Sequence, residues 1–325
     1  MPAQPVIIDC DPGHDDAINL LVAMASPDEL DILGITAVAG NAPLDMTERN
    51  ARMICHIAGR TDVPVLRGCQ RPLKRELTTA LPVHGVTGLD GLELVEPTVR
   101  CGARHAVDFI VETLLASDDA SVTLVTTGPL TNIASAMRKN TRILNKVAEI
   151  VMMGGAMREA GNCTPSAEYN MFADPHAADI VFRSGCAITA FGLDATHQVL
   201  ATGQFSERVR RLGNAAGRAA GTSVDFMWRY DGYRNRFSGV PLHDPCTVAF
   251  LLRRDLFQSR RCNLTVETAS ELTMGHTAVD FWQATERAAN VNWIHRVDVA
   301  GMLDLLVDRL SRYGGTDDRP RHGAE

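Results

Sequence analysis

No block of lysine and arginine interrupts the 325-residue chain, whose formal net charge is -7. It therefore lacks the electrostatic footprint that nucleic acid or an anionic membrane surface requires. No apolar run is long enough to span a bilayer, and the first expected strand starts within about five residues of the beginning, which leaves no room for a secretory signal. These absences predict a cytoplasmic protein. Asn162-Cys163-Thr164 and Asn263-Leu264-Thr265 fit the glycosylation pattern, but the match is empty without a secretion route. The eight cysteines never form a Cys-x-x-Cys pair, so they read as small buried hydrophobes rather than zinc ligands or staples. No Gly-x-Gly-x-x-Gly follows the first strand and the P-loop lysine pattern is missing, which argues against a dinucleotide site and a P-loop. No internal repeat or low-complexity linker divides the chain. Residues 1–313 read as one domain and 314–325, with a Gly-Gly pair, charges and a proline, as a frayed tail.

What the chain does have is four carboxylates within eight residues, Asp9-Cys10-Asp11-Pro12-Gly13-His14-Asp15-Asp16. They follow an apolar run, Val6 to Ile8, that reads as a buried strand. Carboxylates this close repel one another and call for a cation. Calcium and magnesium are the hard ions that such oxygens suit, and a bound ion would relieve the like-charge penalty. The plainer alternative is a turn plus a helix cap built from ordinary aspartates. A Pro-Gly corner and then Asp15-Asp16, opening the periodic run Ala17, Ile18, Leu20, Leu21, Met24, place the ion at the carboxyl end of a strand and beside a helix N-terminus.

Strand and helix alternate through the first two thirds of the chain. Strands are expected over 32–38, 64–67, 122–125, 150–153 and 187–191, and helices over 45–58, 104–116, 130–138 and 175–183. Asp45 and Glu48 fit a capping pair for the first of these helices. Residues 205–236 look helical; beyond them the pattern is less regular, with strands near 264–267 and 292–297 and a closing helix over 301–312. The fold class is α/β: an open, mostly parallel (mixed) sheet with helices on both faces, Rossmann-like but without a dinucleotide site. Polar residues gather where strands end, at Asn41, at Thr126 to Asn132, at Gly154-Gly155 and at Asp194, the side on which such sheets bind ligands. The long loop over 81–91 is of the kind that walls active sites.

Seven motifs occur in one order: Asp9 to Asp16; His84-Gly85 with Gly88-Leu89-Asp90-Gly91; Thr127-Gly128-Pro129-Leu130-Thr131-Asn132; Met153 to Ala156; Gly161 to Asn170; Asp174-Pro175; and His243-Asp244-Pro245. Over residues 5–312 the chain resembles the inosine-uridine preferring nucleoside hydrolase family. The resemblance implies hydrolysis of the N-glycosidic bond of purine and/or pyrimidine ribonucleosides to free base and ribose. It also implies a held Ca2+ and a homo-oligomer, dimer or tetramer, with a small-molecule ribonucleoside as partner. Carried over residue by residue, it makes Asp11, Asp16, Asp244 and the Thr127 carbonyl the calcium ligands. Asp11 is also the base that takes a proton from the attacking water. Asp15, Asn41, Asn162, Glu168 and Asn170 become the sugar clamp, Met153 lines the pocket, and Tyr169 walls the base. His243 is the candidate acid, and His84 lies beside the base or ribose. Trp228, Tyr230, Tyr233, Arg234 and Phe237 belong to the region that closes over the base.

Each of these residues has a duller reading. Asn162 and Asn170 can hold loop backbone, Glu168 can be solvated, and Asn41 can simply end its strand. Thr127 and Asn132 can cap the next helix, and Met153 can be core. Asp244 before Pro245 can be an N-cap, although a carboxylate far from the first cluster is what a chelate needs to close. The aromatics of 228–237 fit a core or a subunit interface as well as a base pocket, and base preference stays open. A magnesium-dependent phosphotransferase also favours paired aspartates after a first strand, but the strand-end lysine it needs is not evident. A non-catalytic nucleoside sensor is a further class; it would have lost the base or a metal ligand, and here all are present.

Overall fold

Val6, Ile7 and Ile8 are fully buried. Successive side chains on a strand point to opposite faces, so Val6 and Ile8 enter one core and Ile7 another. Burial on both faces requires helices on both, and that is the arrangement found. The computed structural model describes residues 2–93, 95–234 and 237–314, the side chains at 230–234 excepted. Its strands are β1 (Gln4–Cys10), β2 (Leu30–Ala37), β3 (Val65–Arg67), β4 (Cys101–Gly102), β5 (Val122–Thr126), β6 (Val147–Met153) and β7 (Ile188–Phe191), followed by β8 (Leu200–Ala201), β9 (Val240–Pro241), β10 (Phe257–Val266), β11 (Thr277–Asp280) and β12 (Val291–Val297). Ten of them form one sheet in the order β11-β10-β12-β7-β6-β5-β1-β2-β3-β4, and β8 pairs with β9 apart from it. From β12 to β4 every pairing is parallel, while β10 runs antiparallel to β12 and to β11. The open, mostly parallel mixed sheet expected from the sequence is thus the architecture.

The helices are α1 (His14–Met24), α2 (Leu44–Ile57), α3 (Leu81–His84), α4 (Ala106–Ala116), α5 (Thr131–Lys139), α6 (Tyr169–Ala173), α7 (Pro175–Phe182), α8 (Leu193–Thr196), α9 (Gly203–Arg210), α10 (Ala215–Arg234), α11 (Pro245–Leu252) and α12 (Val299–Ser311). Helices α1, α2 and α9 to α12 pack in the core that takes Val6 and Ile8, and α4, α5 and α7 in the core that takes Ile7. Among the described residues no helix is long and apolar enough to cross a membrane.

The local expectations fail in identifiable places. Asp45 and Glu48 do not cap α2, whose N-cap is Pro43 with no side-chain bond. Arg67 from β3 takes Asp45, and Arg52 one turn on takes Glu48. The helical stretch over 205–236 is two helices: Gly213, at φ +72, ends the first, and the Asn214 side chain starts the second by accepting from Gly217 N at 2.7 Å. Strand β10 begins well before residue 264, and β4 and β11 were not anticipated. Of the expected tail, residues 315–325 lie outside the described residues.

From β1 the chain winds outward through β2, β3 and β4, then returns to the other side of β1 as β5. The order reverses between β1 and β5, and a crevice opens at the carboxyl ends of strands at such a switch point. Asp11 follows β1 there, and Thr127 follows β5.

Candidate active site and metal centre

Asp11 and Asp16 are fully buried, and Asp15 and Asp244 nearly so. Asp11 accepts from the Asn41 backbone N–H through Oδ2 at 2.7 Å, while its Oδ1 is buried with no hydrogen-bond partner among the described residues. Asp16 accepts from Thr127 Oγ1 at 2.6 Å and from Gly13 N at 3.0 Å. Asp15, Asp16 and Asp244 each offer an oxygen, and these oxygens lie within 4.8 Å of one another. Asp244 stands at the N-cap position of α11 without making a cap bond and instead hydrogen-bonds Asp16. Burial, then repulsion from neighbouring aspartates, holds the Asp11 and Asp244 carboxyls well above the usual range, and burial with Asp15 beside it pushes Asp16 up to about 7.

The backbone closes tightly on this cluster. A Cβ at Gly40 would meet Asp11 Oδ2 at 2.0 Å, and one at Gly128 would meet Oδ1 at 2.7 Å. Asn132 does not cap α5. Its amide donates to Asp9 Oδ2 and Ala37 O and accepts from Cys69 N, tying the ends of β1 and β2 together beneath the site.

The residues fit a hard divalent cation. All the converging donors are oxygens, the neighbouring Asp11 Oδ1 is buried and unpartnered, and among the described residues no basic side chain pairs with these like charges. Asp11, Asp15, Asp16 and Asp244 would hold the ion. The Thr127 carbonyl accepts from Asn170 Nδ2 at 2.8 Å and retains a second lone pair. Asp15, expected as a ribose ligand, sits within the carboxylate group as well.

A cavity of 270 Å³ opens onto Asp15 and Asp244. Asn41, Met153, Asn162, Glu168, Tyr169 and Asn170 all line it, so the structure brings the sequence-derived clamp together. Glu168 is buried rather than solvated; it caps α6 and accepts from Gly155 N at 2.9 Å and Asn170 N at 2.9 Å. Burial, opposed by these N–H groups, pushes it up to about 7. Asn162 does hold loop backbone, accepting from Tyr169 N at 2.9 Å, and Asn170 also donates to Met153 O at 3.2 Å. Both duties coexist with facing the cavity. The Tyr169 hydroxyl donates to Thr78 O at 2.7 Å.

His84 and His243 also line the cavity. His84 Nδ1 accepts from the His14 backbone N–H at 3.2 Å. A backbone amide keeps its proton, so in neutral His84 the ring proton sits on Nε2. His14 stacks between His84 and Phe226 and lies outside the cavity lining; burial, then His84, lowers its pKa to about 4. His243 Nδ1 lies 2.8 Å from Thr196 Oγ1, and burial lowers its pKa to about 4. His197 and Met227 line the cavity without having been given a role from the sequence, as do Thr79, Ala80, Val240 and Pro241; the only signal for His197 was its place just after the strand end at Asp194. Phe237 also lines the cavity, Trp228 is 42% exposed and does not, and the side chains of Tyr230, Tyr233 and Arg234 lie outside the described residues.

Comparison with known proteins gives the arrangement its family. Residues 6–304 match the model of the inosine-uridine preferring nucleoside hydrolase family. The pyrimidine-specific ribonucleoside hydrolase RihA of Shewanella sp. (strain ANA-3) is 46% identical over 97% of this chain and 98% of its own length. Among solved structures, a plant nucleoside hydrolase, the PpNRh1 enzyme, superposes with a TM-score of 0.89 at 30% identity, over 95% of this chain and 99% of that one. The purine-preferring ribonucleoside hydrolase from Gardnerella vaginalis reaches 0.88 at 31% identity, over 95% and 98%. With its carboxylate cluster at the sheet's switch point and a polar cavity beside it, the chain belongs to the inosine-uridine preferring nucleoside hydrolase family.

Proposed function

We propose that the protein hydrolyses ribonucleosides to free base and ribose at the Asp11–Asp244 cluster, with Ca2+ as the resident ion and pyrimidine ribonucleosides as the preferred class. The observation that carries this is the unpartnered, buried Asp11 Oδ1 behind the carboxylate group of Asp15, Asp16 and Asp244, of which Asp15 and Asp244 line a cavity together with Asn41, Glu168 and Asn170. Pyrimidines come first because the relative named pyrimidine-specific is 46% identical, against 31% for the one named purine-preferring. Calcium is favoured over magnesium because it accepts several carboxylates with a carbonyl, whereas magnesium keeps its waters.

Asp11, Asp15, Asp16 and Asp244 would hold the ion, which would supply the positive charge that acidifies a water and attracts sugar hydroxyls. Asp11 takes the proton of the attacking water, and inversion at the anomeric carbon follows from a single carboxylate acting through water. Asp15, Asn41, Asn162, Glu168 and Asn170 orient the ribose hydroxyls, with Met153 against the sugar. The clustered negative charge suits the cationic ribosyl group that forms as the C1'–N bond breaks. His84 presents Nε2–H toward the departing base, and His243 and Tyr169 flank it; a stacked base is worth about 1–3 kcal/mol. A cytoplasmic location and a homo-oligomer, dimer or tetramer, complete the reading.

The test is to incubate the calcium-loaded protein separately with uridine, cytidine, inosine, adenosine and guanosine and to follow base and ribose by chromatography, alongside Asp11→Asn. Base release by the wild type alone establishes the activity and ranks the bases. Intact nucleosides throughout, with calcium bound, refute it.

A further inference from the structure

Between β3 and α3 the chain runs against α6 as a strap with no ladder or turn to set its path. Residues 76–80 form neither helix nor strand. Among the described residues the backbone groups of 74–79 take part in a single hydrogen bond, the one that Thr78 O accepts from the Tyr169 hydroxyl at 2.7 Å. The two ends of the strap are held elsewhere. Leu73 N donates to Asp174 Oδ2 at 2.8 Å, and the Arg75 guanidinium lies over the Phe172 ring at 4.1 Å. At the other end Ala80 N donates to Asn41 O at 3.0 Å, and His84 Nδ1 accepts from the His14 amide at 3.2 Å. The strap leads directly into the cavity wall, to which Thr79, Ala80, Pro82, Val83 and His84 all contribute. A segment without backbone bonds opens easily, so whatever holds Thr78 also sets how often this wall is in place.

Tyr169 opens α6 between two residues of the sugar clamp, Glu168 and Asn170. The backbone there is tightly held: Tyr169 N donates to Asn162 Oδ1 at 2.9 Å, and the Glu168 side chain accepts from the Asn170 and Met171 N–H groups. The ring therefore leaves a fixed point, and its hydroxyl carries that fixed point across to the strap. Tyr169 belongs to neither hydrophobic core, and a phenylalanine would fill the same space. What tyrosine adds is the hydroxyl, whose partner is a loop carbonyl. A phenol with one apolar end and one polar end suits such a junction.

We infer that Tyr169 is a positioning residue whose hydroxyl latches Thr78 and so holds the 79–84 wall of the cavity in its substrate-binding arrangement. The inference rests on the ribonucleoside hydrolase reading above. The latch acts on binding and not on the chemical step, because the carboxylates take their hydrogen bonds from elsewhere. Asp11 accepts from the Asn41 amide, and Asp16 from Gly13 N and Thr127 Oγ1, none of which lies on the strap. Without the hydroxyl the wall is in place for a smaller fraction of the time, and the apparent affinity falls by that fraction. Ground state and transition state lose equally, so KM rises and kcat holds.

The test is Tyr169→Phe, which keeps the ring and removes the latch. Steady-state kinetics of the calcium-loaded wild type and variant on the best nucleoside of the panel above are read beside hydrogen–deuterium exchange of the 76–85 segment in the two free enzymes. The amides of Ala80, Val83 and His84 are hydrogen-bonded and report its opening. KM is expected to rise about three- to tenfold, the worth of one hydrogen bond, with kcat within about twofold, and these amides are expected to exchange faster by a similar factor. A raised KM with unchanged exchange overturns the inference, since the hydroxyl then serves the substrate directly. Faster exchange with unchanged KM overturns it too, since the strap then takes no part in binding. A kcat lowered more than about fivefold, or no change in either reading, has the same consequence. A variant that fails to fold also overturns it, because a latch outside both cores is not needed for folding. A wild type that hydrolyses a nucleoside keeps the parent reading whatever the variant does; one that hydrolyses none removes both.

Discussion

Asp11 has two oxygens with different fates, and the difference sets what each can do. Oδ2 is held by the Asn41 amide, which fixes the carboxylate plane, and Oδ1 is left without a protein donor. Asp11→Asn keeps the shape and removes the base. With saturating calcium, kcat is expected to fall by about 100-fold or more while KM changes far less; an unchanged kcat in steady-state kinetics would remove Asp11 from the mechanism. Glu168 makes a second residue-scale prediction. Burial pushes its carboxyl up to about 7, so below that pH it takes a proton and loses an acceptor for a ribose hydroxyl. KM is expected to rise as pH drops from 8 to 6, and in Glu168→Gln to be high and flat over the same window. A wild-type KM independent of pH there would exclude Glu168 from contact with the sugar. Residue identity was legible in the sequence where polar groups are concentrated: Asp11 and Asn41 follow strand ends, and Asp16 and Asp244 stand at helix N-termini, all buried where acids and amides have no packing reason to be. His197 was not legible, because a single histidine between Thr196 and Gln198 acquires meaning only when a loop from elsewhere brings Glu159 Oε2 to 3.0 Å from its Nδ1.

At the scale of elements, the site is a meeting of strand ends whose backbones approach closely enough to leave no room for a methyl group. The turn after β2 passes Asp11 through Gly40, where an added Cβ would stand 2.0 Å from Oδ2. Asp11 cannot swing aside freely, since the neighbouring Asn41 amide grips the same oxygen. Gly40→Ala is therefore expected to displace the carboxylate by about 1 Å and to lower kcat/KM by about 100-fold while the sheet remains folded by circular dichroism. Activity within about threefold of wild type would show that the turn, not the carboxylate, gives way. Elements buried on both faces, such as β1, β5 and β6, were readable because their apolar runs leave no other assignment. The two residues of β4, the short β11 and the break between α9 and α10 were not, since they depend on a partner strand, on the sheet edge and on one glycine with a positive φ. The supposed cap at Asp45 and Glu48 failed for a related reason: Arg67 and Arg52 outbid the backbone for both carboxylates.

Across the whole molecule, the aspartates are a liability that folding has accepted in advance of a ligand. Buried like charges within 4.8 Å lower stability until a cation joins them, and an ion that binds only the folded state stabilises it by mass action, about 2.7 kcal/mol at 100 times Kd. For a chain of this length that corresponds to a rise in Tm of roughly 5 °C, and chelation is expected to reverse it. Asp244→Asn distinguishes this account from one in which the carboxylates are merely structural. Its amide can donate to Asp16, where the wild type needs a shared proton, so the metal-free variant is expected to melt no lower than the metal-free wild type while losing most of the calcium-dependent shift. Differential scanning calorimetry in calcium and in EGTA reads both quantities. A metal-free Asp244→Asn that melts well below the wild type would mean that the cluster stabilises the fold on its own, and an unchanged calcium shift would place the ion somewhere other than the junction of β1, α1 and α11.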